Sequence, residues 1–176
     1  AGREREAMTG PVLKMPLVII AALVLQASLL ADLRIFDVSA ELMMLLPICA
    51  GVLAGPDRGA MVGFVSGIAL DLLLSTPFGM SALAYTLVGY LAGLVVGTIL
   101  RAAWWIPVLT AAGASAAGVL LYALVASGVG QSGLINGRLW TIVGVVALLN
   151  GVLSAAVLPL VRWALAGGPA PRAFAA

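Results

Sequence analysis

The chain has 176 residues, 63% of them hydrophobic and 9% charged, with a formal charge of +2 and a mean hydropathy of +1.19. Soluble domains run near about 25% charged, so this composition excludes an ordinary water-soluble fold and predicts an all-α membrane protein. At about 20 residues per span, there is room for six transmembrane helices in one bundle over residues 15–165. A cytoplasmic N-terminal segment, 1–14, and a disordered cytoplasmic tail, 166–176, would flank them, with no space for a soluble domain.

The first span is expected from about Met15 to Ala31, with Pro16 at an early helical position. Its polar side chains, Gln26 and Ser28, suit either interhelical hydrogen bonds or ligand contacts. The run from Met15 is followed by no cleavage site and soluble remainder, so it reads as a membrane helix rather than a leader. Asp32, Arg34 and Asp37 form a short charged loop. Ser39 then fits an N-cap, with Glu41 in the first turn of a short second span, about Glu41 to Ala54. Pro47 inside that span removes a backbone donor and predicts a kink, a break or a re-entrant path. The turn GPDRG, Gly55 to Gly59, leads into the next span.

Two apolar runs then flank the turn STPFGM, which is built on Pro77 and Gly79. Gly59, Gly63, Gly67 and Asp71 recur every four residues in the first run, and Ser81, Tyr85, Gly89, Gly93 and Gly97 in the second. Helical geometry makes each row a stripe. Folding back around Phe78 would set Gly67 against Gly89, Gly63 against Gly93 and Asp71 against Tyr85. In lipid, where apolar burial drives little association, close backbone approach and a few polar contacts hold helices together. The stripes thus serve helix packing or a partner interface, with ligand lining as the other role open to them.

Arg101, Trp104 and Trp105 mark a membrane interface. A fifth span follows, with Pro107 in its first turn and its end near Ser127. Its core AAGASAAG, Ala111 to Gly118, offers a small-residue face to another helix of this chain or of a partner. A polar loop, Ser127 to Arg138, precedes the sixth span, about Leu139 to Leu165, in which Asn150 and Ser154 form a polar pair near the midpoint.

Basic residues set the topology. With a cytoplasmic N-terminus, Arg3, Arg5, Lys14, Arg58, Arg101, Arg162 and Arg172 lie inside and only Arg34 and Arg138 outside. Both termini are then cytoplasmic and the Pro77 turn faces out. No basic cluster suits nucleic acid. The chain has no histidine, which excludes His-dependent acid–base chemistry and His-ligated metals. Cys49, the single cysteine, lies in an apolar run as a small hydrophobe. No nucleophile–base pair, paired carboxylate, phosphate-binding loop or metal-spaced cluster is present, so neither catalysis, metal nor cofactor is expected. Asp71 is the one acid well inside an apolar run. It suits a substrate, ion or partner contact, or a hydrogen bond to Tyr85 or to the free amides near Pro77.

The run GFVSGIALDLLLSTPFGMSALAYTLVGYLAG, Gly63 to Gly93, resembles the middle segment of the rod shape-determining MreD family. LVLQASLLADLRIFDVSAELMMLLPICAGVLAGPDRG, Leu23 to Gly59, is also similar. The most specific piece is the Asp71 to Gly79 spacing, followed by Tyr85 and Tyr90. The resemblance covers about the first two-thirds of the chain. It implies a non-catalytic, multi-pass protein of the bacterial cytoplasmic membrane within the cell-elongation machinery. Such a protein pairs with the bitopic MreC, and through it with the MreB filament, the glycosyltransferase RodA and its class B transpeptidase. It also implies a six-helix fold similar to the substrate-binding subunits of energy-coupling-factor vitamin transporters. The rival expectation is therefore a solute-binding subunit, with Gln26, Asp71 and Tyr85 lining an outer pocket.

Overall fold

The computed structural model describes residues 2–30, 41–73, 78–99, 106–128, 130 and 137–166; these form helices with short turns at their ends and include no strand. The helices are α1 (Gly2–Leu25), continued by a π turn (Gln26–Leu30), then α2 (Leu42–Ala54), α3 (Pro56–Asp71), α4 (Met80–Ile99), α5 (Ile106–Gly128) and α6 (Gly137–Leu165). The all-α class expected from composition is borne out.

The sequence of α2, LMMLLPICAGVLA, has no polar face, and a helix apolar all round belongs inside. Leu42 to Gly51 are accordingly buried without interruption. The helix touches each of the other five, which close around it in the order α1, α6, α5, α4, α3. Pro47 does not break it: α2 stays helical through the proline, whose ring packs towards Gly89 on α4.

The outer helices carry large exposed apolar side chains, among them Leu17, Ile20, Phe64, Leu91, Leu109, Leu148 and Val152. An apolar exterior this extensive is unusual for a soluble monomer. Ile106–Gly128 and Gly137–Leu165 are long and apolar enough to cross a membrane; Lys14–Ser28, Leu42–Ala54 and Met80–Val96 are shorter apolar helices.

Several boundaries differ from expectation. α1 starts at Gly2 and takes in most of the segment 1–14, because Arg, Glu, Ala and Met are good helix formers. Pro16 therefore stands mid-helix rather than near its start. Glu41 occupies the N-cap position of α2, not its first turn, and makes no side-chain cap bond. α6 contains an interior Pro159 that hydropathy alone passes over. Ala31, Asp32, Arg34, Asp37, Ser39, Pro77, Arg101, Trp104, Trp105 and the tail beyond residue 166 lie outside the described residues.

Candidate functional site

Three features are candidates: a glycine seam, a set of buried polar caps and an open apolar groove. The seam joins α2, α3 and α4. A Cβ added to Gly59 would strike the Gly89 carbonyl, one added to Gly63 the Tyr85 carbonyl, one on Gly67 the backbone of Ala82, and one on Gly93 the backbone of Pro56. Backbone meets backbone at every step, an approach that only glycine allows.

The register is not the expected one. Gly59, not Gly67, faces Gly89, and Gly63 faces Tyr85 rather than Gly93, a displacement of about two helical turns. The cause is Asp71. Its Oδ2 accepts the Gly79 and Ala82 amides at 2.9 and 3.3 Å, and its Oδ1 accepts the Ser81 amide at 3.2 Å. Asp71 thus sits across from the start of α4, not from Tyr85, and draws the stripes past symmetric alignment about Phe78. Gly79 enables the turn, with φ at +94°. Tyr85 is buried. Gly97 falls within α4, but its surroundings lie outside the described residues.

Sequence reasoning missed Gly51. A Cβ there would meet the Gly89 carbonyl and the Gly93 amide, so Gly51, Gly59 and Gly89 converge from three helices. The GPDRG turn, by returning α3 along α2, was the available signal. Gly51, Gly59, Gly63, Gly67, Gly89 and Gly93 are all buried among the chain's own helices.

The caps answer a different need. The first amides of a helix have no intrahelical acceptor, and α2 starts inside the bundle. The Glu41 amide donates to Asn150 Oδ1 at 3.2 Å, and the Met43 amide donates to Gln26 Oε1 at 2.9 Å. Asn150 Nδ2 returns bonds to the Glu41 carbonyl at 3.3 Å and to Ser115 Oγ at 3.1 Å. Gln26, read with Ser28 as a candidate for interhelical hydrogen bonding, makes such a bond, and Asn150, read only as part of a polar pair, joins α6 to both the start of α2 and α5. Ser154 instead bonds back to the Gly151 carbonyl of its own helix, at 2.6 Å.

Glu41 and Asp71 both lie near Tyr85 and Tyr122. Ser81 Oγ is buried beside the Tyr122 hydroxyl. Asp71 therefore works as a cap for α4, with both oxygens engaged. Replacing it by Ala should lower stability by about 2 kcal/mol, combining a lost cap with orphaned buried amides. Asn, which keeps one acceptor, should cost less. Thermal unfolding in mild detergent ranks the two, and equal stability of Asp71→Ala and the parent chain would remove this role.

The groove lies between α4 and α5, with a volume of about 760 Å³. Val88, Leu91 and Val95 form one wall, and Leu109, Gly113 and Leu124 mark the other. Among the described residues, Thr110 is the one polar residue lining it. Its α5 wall, Leu109 to Leu124, is about 22 Å long at 1.5 Å per residue. A Cβ added at Gly113 meets nothing within 4 Å, so the small face read in AAGASAAG is partly open. Gly118, at its far end, is instead covered by Met44 and Val88.

Comparison with protein-family models, curated proteins and solved structures returns no match.

Proposed function

We propose that the chain is a non-catalytic, multi-pass component of the bacterial cytoplasmic membrane, of the MreD type. In this reading it spans the membrane six times with both termini cytoplasmic, and receives the transmembrane helix of an MreC-like bitopic protein. Through that partner it helps to position the RodA glycosyltransferase, its class B transpeptidase and the MreB filament for wall elongation.

The groove along α5 is the observation that carries this reading. It is open, apolar and about four helical turns long, with small residues at its floor, which suits a partner helix in lipid. A solute pocket would need several convergent polar groups. Here Asp71 and Gln26 are instead occupied by backbone amides. The same facts weigh against the solute-binding reading.

The test is affinity purification from native membranes in mild detergent, with mass spectrometry of co-purifying proteins and small molecules. An MreC-like bitopic protein should be recovered without a stoichiometric metabolite. Gly113→Trp and Ala117→Trp fill open space, so folding should persist while partner recovery falls more than about tenfold, as for loss of a hot spot. Recovery of a transporter ATPase pair or a retained metabolite would replace this reading with solute binding.

A further inference from the structure

At the end of the bundle where α1 meets the C-terminal turn of α6, the Lys14 ammonium lies 5.0 Å from the centroid of the Trp163 ring. That is within cation–π range, about 6 Å. The ring fixes the ammonium without accepting its N–H groups in conventional hydrogen bonds, leaving these donors for an anion. Arg162, next to Trp163, is exposed and lies in the last turn of α6, a helix without an acidic residue. Trp163 itself is 52% exposed. One turn from Lys14 and from Trp163 stand Leu17 on α1 and Leu160 on α6, 60% and 45% exposed. A cation held on an exposed ring, a second cation on the residue next to that ring, and an exposed leucine one turn from each contact residue thus lie on these two helices.

We infer that this junction of α1 and α6 is a seat for one anionic phospholipid, with its phosphate on Lys14 and Arg162 and its acyl chains on Leu17 and Leu160. A free phosphate uses only the charged end, whereas a phospholipid uses both parts, and the presence of both commits the site to lipid. Interfacial Trp and snorkelling bases are suited to headgroup depth. The inference rests on the membrane location proposed above but not on the MreC-like partner.

The experiment is native mass spectrometry of the delipidated full chain, offered dioleoyl-phosphatidylglycerol or dioleoyl-phosphatidylcholine. The phosphatidylglycerol adduct should dominate. Lys14→Gln and Arg162→Gln should each weaken it about fivefold, the effect of one basic residue near a membrane surface. Arg138→Gln, at the opposite end of α6, should leave it unchanged. Equal adducts of the two lipids on the parent chain would overturn the inference, and that comparison needs no variant to fold. Displacement of the lipid by inorganic phosphate would also overturn it, by assigning the site to a free anion. Incorporation into phosphatidylcholine nanodiscs separately checks the membrane location, so failure of the lipid seat and failure of that location are distinguishable.

Discussion

Gly89→Ala is expected to lower the apparent melting temperature in mild detergent, although alanine is the better helix former by about 1 kcal/mol. The added methyl has no free direction: it meets the Gly59 carbonyl on one side and stands 2.9 Å from Pro47 Cβ on the other. Overpacking ordinarily costs about 1–3 kcal/mol, and here a main-chain carbonyl bounds the site, which cannot rotate aside as a side chain can. Overlap should outweigh propensity. Gly89→Leu should go further and abolish monodisperse protein, as should Gly59→Leu and Gly63→Leu, whose added atoms also strike backbone. Gly144 supplies the contrast, since its Cβ would meet nothing within 4 Å. Gly144→Ala should therefore hold or raise the melting temperature. If Gly89→Ala proved as stable as Gly144→Ala, the three-helix seam would be wrong.

Asn150→Leu is expected to destabilise the bundle by about 2–4 kcal/mol. The change keeps the bulk but orphans the Glu41 amide and Ser115 Oγ, while the Glu41 carbonyl loses one of its two donors and keeps the Leu45 amide. Each unsatisfied buried group costs about 1–3 kcal/mol, with the lower end appropriate where membrane helices find alternative partners. Ser115→Ala removes just one of the three contacts and should cost under about 1 kcal/mol. Thermal unfolding of the two variants side by side decides the matter. Equal melting temperatures would mean that Asn150 does not hold the start of α2, and that another group satisfies Glu41.

The two predictions concern the same helix from opposite ends. α2 is short, apolar on every side and enclosed, so it gains little from solvent or lipid at its termini. Its N-terminal amides are met by Asn150 and Gln26, and its C-terminal half is clamped through Gly51 against α3 and α4. This enclosure also explains why Pro47 is tolerated: packing surrounds the helix where its backbone bond is missing.

Composition alone determined the all-helical class, because a chain with so few charges can satisfy its backbone in an apolar surrounding most simply within helices. The four-residue recurrence of Gly59, Gly63 and Gly67 was enough to place these residues on one face, since helical periodicity is a local property. It was not enough to set what that face meets. Register depended on where Asp71 found the free amides of α4, a contact across the turn that goes with a shift of the stripes by about two helical turns. The central position of α2 and the convergence of Gly51 with Gly59 and Gly89 were likewise decided by tertiary structure. So was the pairing of Glu41 with Asn150, which joins residues 109 positions apart. The openness of Gly113 beside the covered Gly118 belongs to the same class. Spacing along a chain records which residues share a face, whereas only the packed bundle determines which faces close on one another and which remain open to a partner.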